Sequence, residues 1–145
     1  MKTDNNIISE YFNNLELALK SYKKHLSAIL DESELNITPD QWQVLDIIKN
    51  QKDIKYSEIA LISGKDIASV NRIIDLLNQK GYVSRQTDPN NRRRVILGIS
   101  SSGDEIHKKA DAAIGDASNK LLNGFKDKRI AKQLKIFKKI IKKTK

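Results

Sequence analysis

Ile8, Tyr11, Phe12, Leu15, Leu19, Tyr22, Leu26, Ile29 and Leu30 recur at three- and four-residue steps, so Ile8 to Leu30 reads as one long amphipathic helix. The polar run Asp31 to Asn36 breaks that pattern. Thr38-Pro39-Asp40-Gln41 then supplies an N-cap, a proline at the first helical position and a capping-box glutamine, which starts a second helix at Pro39. That helix carries Trp42, Val44, Leu45, Ile47 and Ile48 and dissolves into Lys49 to Asp53.

A short helical piece, Ser57 to Ile62, and a longer one, about Asp66 to Lys80, are separated by Ser63-Gly64. In the longer piece Ile67, Val70, Ile73, Ile74 and Leu77 form the expected buried stripe, Asp66 suits the N-cap, and Gly81 stands where helices often end in a left-handed residue. Two helices joined by a tight glycine-containing turn make a helix-turn-helix. Two β-like runs follow, Tyr82 to Thr87 and Val95 to Ile99, which predict a hairpin around the segment Asp88 to Arg94. Ser101 and Ser102, with Asp104 and Glu105 three residues on, open a further helix to about Leu122. Gly124 interrupts it, and Lys126 to Lys143 places Ile130, Leu134, Phe137, Ile140 and Ile141 on one face and lysines on the rest. The expected fold is mainly α, about six helices plus a β-hairpin.

The chain has 145 residues and a formal charge of +9, but that charge is uneven. Lys120 to Lys145 holds 11 basic residues against one acid, whereas residues 1 to 119 hold 16 basic against 17 acidic. Whole-chain basicity therefore belongs to the last helix. Within Lys55 to Ile99 there are 8 basic residues and 4 acids, a local excess that suits a polyanionic partner. There are no cysteines, which excludes disulfides, thiolate metal sites and thiol-based sensing. No apolar stretch approaches the roughly 20 residues needed to cross a bilayer, and the polar start Met1 to Asn6 has no secretory core, so a cytoplasmic protein without membrane contact is expected. His25 and His107, the only histidines, lie far apart without metal-ligand spacing, and no glycine-rich phosphate loop is present. No enzyme, metal or cofactor is expected.

Candidate binding residues sit on the helix starting at Asp66 and on the hairpin. A major groove admits one α-helix, and residues near its N-terminus reach base edges first. Off the apolar stripe these are Lys65, Ala68, Ser69, Asn71 and Arg72, all but Ala68 donors or acceptors: Asn71 suits adenine, Arg72 guanine, and Ser69 a base or a phosphate. Taken singly they could be ordinary solvated groups. At the hairpin tip Arg92, Arg93 and Arg94 cannot all be neutralised by Asp88, and arginines suit the enhanced negative potential of a narrow minor groove.

With those motifs in view, Tyr56 to Gly103 is similar to the winged helix-turn-helix of the MarR family of bacterial regulators. The resemblance rests on Ser57-Glu58-Ile59-Ala60, Ser69-Val70-Asn71-Arg72-Ile73-Ile74-Asp75-Leu76-Leu77, Gly81-Tyr82-Val83, Asp88-Pro89-Asn90-Asn91-Arg92-Arg93-Arg94 and Ile99-Ser100-Ser101-Ser102-Gly103. It implies one domain over 1–145, with a double-stranded DNA-binding part in 37–103 and dimerisation helices in 7–31 and 104–145. It further implies a homodimer, a repressor, on a pseudo-palindromic operator. One departure is Asn91, which stands where the family's wing usually carries aspartate, two residues before Arg93, the residue that resembles the minor-groove arginine. Many members release DNA on binding small aromatic compounds between the dimerisation helices and the winged part. Tyr11, Tyr22, His25 and Trp42 are the residues that could line such a cleft, although aromatics at helical spacing are more often core. The rival reading is a basic adaptor that binds nucleic acid or a membrane surface through Lys126 to Lys145, with no effector response.

Overall fold

A computed structural model describes residues 4–145. Among them α1 (Asn5–Glu32), α2 (Pro39–Asn50), α3 (Tyr56–Ser63) and α4 (Ile67–Gln79) precede a two-stranded antiparallel sheet, β1 (Val83–Asp88) and β2 (Asn91–Ile99), and α5 (Ser101–Leu122) and α6 (Asp127–Lys143) follow it. The residues up to Ile114 form one compact unit and Gly115–Lys145 a second.

In the first unit α2 is the central element, packed against α1, α3, α4 and β2. It begins where expected: the Thr38 hydroxyl accepts the Gln41 N–H at 3.1 Å while the Gln41 side chain accepts the Thr38 N–H at 3.2 Å, which satisfies two otherwise orphan donors. Leu26 and Leu30 of α1, Val44, Leu45 and Ile48 of α2, Ile59 of α3, Val70, Ile74 and Leu77 of α4, Val83 of β1 and Leu97 of β2 are all buried. This cluster holds the helix-turn-helix and the hairpin on one support. Gly64, with φ of 71°, ends α3 in the left-handed conformation and sets the turn into α4.

The junction of hairpin and α5 is tied by serines. The Ser100 hydroxyl donates to the Gly81 carbonyl at 2.5 Å and accepts the Gly103 N–H at 3.0 Å, and Ser102 also donates to Gly81 at 3.0 Å. The residue that caps α5 is therefore Ser100, one position before the pair expected from the sequence. A Cβ at Gly103 would lie 2.1 Å from the Tyr82 carbonyl oxygen, so only glycine fits this approach of α5 to the strand.

Two expectations are corrected. Ile67 is 52% exposed and does not belong to the buried stripe of α4, which starts at Val70. The second strand begins at Asn91, four residues before the predicted Val95, so the three arginines lie within β2 rather than in a loop.

α1 has apolar residues along its whole length, but only Leu26 and Leu30 are buried; Ile7, Ile8, Phe12, Leu17 and Leu19 are exposed. In the second unit α6 contains no buried residue, and Leu134, Ile136 and Ile141 are exposed. No described helix is long and apolar enough to cross a membrane.

Candidate nucleic-acid interface

The turn Ser63–Asp66 delivers α4 with its N-cap formed: the Asp66 carboxylate accepts the Ser69 N–H at 2.7 Å. Those bonds from Ser69 hold the Asp66 carboxyl below its ordinary pKa, which suits an anion at the positive end of a helix. Beyond the cap, Ala68, Asn71, Arg72 and Asp75 are exposed and Ser69 is half-buried, while Val70, Ile74 and Leu77 face the core. Expected base readers Asn71 and Arg72 thus share the solvent side of α4, with Ser69 at its margin.

Lys65 lines a cleft with Asp66, Ser69 and Arg72. Its side chain is only 13% exposed and its ammonium lies 2.8 Å from Asp40 Oδ1, which ties it to α2. Asp40 also receives the Lys23 ammonium of α1 at 3.1 Å. Burial alone would raise the Asp40 carboxyl, but the two lysines outweigh it and hold its pKa below the ordinary value. One carboxylate therefore joins α1, α2 and the turn before α4.

The hairpin pairs regularly from Val83 opposite Ile99 to Thr87 opposite Val95, and then jumps to Asp88 opposite Asn91. Three residues of β2, Arg92, Arg93 and Arg94, have no opposite number on β1. They form a bulge, a device that bends a strand and re-aims its side chains. Two short bonds fix the tip: Asp88 Oδ1 accepts the Asn90 N–H at 2.9 Å, and Asn91 Oδ1 accepts the Arg93 N–H at 3.1 Å. Asn91 thus positions Arg93 through its backbone, for which an amide oxygen suffices.

The arginines are not equivalent. Arg94 reaches the Asp53 carbonyl at 3.4 Å and lies 3.9 Å from Asp88 Oδ2. The Arg92 and Arg93 side chains are exposed and make no hydrogen bond or ion pair with any described residue. Two guanidinium groups thereby remain open to an anion, while the third braces the bulge.

Sequence reasoning missed Arg85. From β1 it places one guanidinium nitrogen 2.5 Å from Asp75 Oδ1 and another 3.3 Å from Asn78 Oδ1, both on α4. The Asp75 carboxylate, followed by a hydrogen bond involving Tyr56, raises the pKa of Arg85. Reasoning also missed a cleft lined by Lys55, Tyr56 and Ser57 at the start of α3 and by Asn91, Arg93, Arg94 and Val95 of β2. The signal for Arg85 was its place two residues after Val83, on the same face of the strand; nothing local pointed to Asp75.

Tyr11, Tyr22 and His25 lie on α1 and Trp42 on α2. Tyr11 makes an edge-to-face contact with Phe12 at 5.4 Å. Eleven residues of helix put Tyr22 about 16 Å along α1 from Tyr11, and His25 is exposed. Trp42 instead stacks on His107, with ring centroids 6.3 Å apart. His107 is buried, with Nε2 2.8 Å from Asp46 Oδ1 and Nδ1 3.4 Å from the Lys49 ammonium. The carboxylate needs a donor and the ammonium an acceptor, which assigns the Nε2–H tautomer. Among the described residues no group of three or more His, Cys, Asp or Glu side chains is placed to hold a metal ion.

Comparison with known proteins gives a consistent result. Residues 37–95 match the model of the MarR family. The multiple antibiotic resistance protein MarR of Escherichia coli is 30% identical over 83 residues, covering 57% of this chain and 58% of that protein. An uncharacterized HTH-type transcriptional regulator of Bacillus subtilis, YcgE, is 33% identical over 63 residues, covering 43% of this chain and 41% of that one. The chain spans about half the length of the curated relatives it matches. A crystal structure of mutant MarR from E. coli complexed with operator DNA is similar with a TM-score of 0.82 at 25% identity, covering 95% of this chain and 99% of that chain.

Proposed function

We propose that this chain, whose residues 37–95 match the MarR family model, is a MarR-family winged helix-turn-helix regulator that binds double-stranded DNA sequence-specifically and acts as a homodimeric repressor. In this reading residues 37–103 hold the DNA, with Asn71 and Arg72 reading base edges from the major groove and Ser69 reaching a base or a phosphate. Arg92 and Arg93 lie along the minor groove, and Arg94 keeps the bulge in shape.

The observation that carries it is the partnerless pair Arg92 and Arg93 on a bulge whose hairpin is bonded, through Arg85, to the helix that exposes Asn71 and Arg72. A wing and a helix locked together can meet a duplex as one surface. The dimer is supported by the uncovered apolar residues of α1 and of α6, in segments 7–31 and 104–145. A twofold-symmetric pair fits a pseudo-palindromic operator with half-sites about 34 to 36 Å apart. The E. coli MarR structure with operator DNA supports the DNA partner. A small aromatic effector is the less supported part of this reading, since Tyr11 and Tyr22 stand about 16 Å apart along α1 and Trp42 stacks on His107.

Selection of bound duplexes from a random library, followed by affinity measurement, tests the reading. A recurring two-part site is expected, and Asn71→Ala or Arg72→Ala should each lose about 1 to 3 kcal/mol on it and relax base preference. Unchanged affinity in both variants would refute the docking mode. Light scattering on a sizing column should give twice the chain mass, and a monomer at micromolar concentration would remove the dimer.

A further inference from the structure

The first turn of α4 exposes apolar groups on the side that faces outward. Ile67 is 52% exposed and Ala68 is exposed as well, although the core stripe of the same helix begins only at Val70. Side chains four apart stack along one helix face, so Ile67 lies beside Asn71 and Ala68 beside Arg72. The turn is also held firmly: Asp66 caps it, and Lys65 just before it is tied to Asp40. Ile67, branched at Cβ and stiff, is therefore presented at a fixed position next to the two proposed base readers. Base edges in the major groove offer one apolar group, the 5-methyl of thymine.

Resting on the DNA-binding reading above, we propose that Ile67 is a specificity-determining residue that packs on a thymine 5-methyl group beside the base held by Asn71. Ala68, with one methyl, lets the helix approach closely at the same end. The operator half-site then carries a thymine whose identity is read by its methyl group rather than by a hydrogen bond. Discrimination there is modest, because a methyl contact is worth about a fourfold change in affinity, and it depends little on salt, unlike the arginine contacts.

The test uses the full chain and duplexes it selects from a random library, resynthesised with each thymine replaced singly by deoxyuridine. That exchange removes the methyl and leaves the pairing and hydrogen-bonding edges unchanged. At fixed salt, one thymine per half-site should lose about fourfold on the exchange. Ile67→Ala should bind the thymine duplex about as weakly as the wild type binds the uracil duplex, and should no longer distinguish the two. Ile67→Thr, which keeps the branched shape, should retain part of the preference. A merely structural role for Ile67 would weaken both duplexes equally. If the wild type binds thymine and uracil duplexes alike at every position, or if Ile67→Ala keeps the full thymine preference, the proposal fails while the DNA-binding reading stands. If no duplex is selected, both fail.

Discussion

Arg85 of β1 and Asp75 of α4 form a 2.5 Å ion pair that fastens the hairpin to the helix proposed to enter the groove. Asp75 lies on the exposed side of α4, where a bare carboxylate would repel the phosphates of the duplex whose bases Asn71 and Arg72 are proposed to read. Arg85 removes that charge and, through Asn78, adds a second point of attachment. Because both side chains are substantially exposed, the pair contributes at most about 1 kcal/mol to folding. Arg85→Ala should therefore leave the melting temperature nearly unchanged while weakening duplex binding. Removing Asp75 as well should restore part of the loss, by relieving the repulsion. Calorimetry and a binding cycle on the two single variants and the double variant check this; additive losses would show that the residues act independently.

Asp40 should be a pH-dependent strut. Its carboxyl titrates lower in the folded chain than its ordinary value of 3.8 because Lys65 and Lys23 bond to it against the opposing effect of burial. A depressed carboxyl pKa stabilises fully above the unfolded value and loses that contribution as pH falls through the folded one. Asp40→Asn should thus cost about 1 kcal/mol at neutral pH, a figure kept small by solvent screening of the half-exposed carboxylate. The difference from wild type should shrink below about pH 4. Denaturant titrations at pH 7 and pH 3 measure it, and a difference that persisted at pH 3 would contradict the ion-pair account.

Gly103 should be intolerant of even one methyl group. The atom its Cβ would strike is backbone, the Tyr82 carbonyl oxygen, which cannot swing aside as a flexible side chain can. Gly103→Ala should lose about 1 to 3 kcal/mol of stability despite its better helix propensity. Gly115→Ala in the same helix, where nothing lies within 4 Å, should be neutral or slightly stabilising. Equal stability of the two variants would sink the explanation.

Local signals made much of this fold legible before any coordinates. The Thr38 to Gln41 box, Gly64 and the N-cap Asp66 are decided by backbone groups within a few residues, and the structure places each in its expected role. Register is different: whether Arg92 to Arg94 stand in a loop or bulge from a strand depends on pairing across the hairpin. Helical periodicity marked Ile67 as apolar but could not say that the core stops at Val70. The ion pair of Lys65 was not legible because its partner, Asp40, is 25 residues earlier in the chain. Arg85 was passed over for the same reason, since only the folded chain brings it to Asp75.

Salt dependence of binding tests the central claim most directly. On a selected duplex the logarithm of the affinity of the full chain should fall linearly with the logarithm of salt concentration. Arg92→Ala and Arg93→Ala should each lower the slope by about 1 if each guanidinium contacts a phosphate. Arg94→Ala, whose guanidinium is already bonded to Asp53 and Asp88, should change the slope less than either. Binding that is insensitive to salt, or slopes untouched by loss of Arg92 and Arg93, would contradict the account.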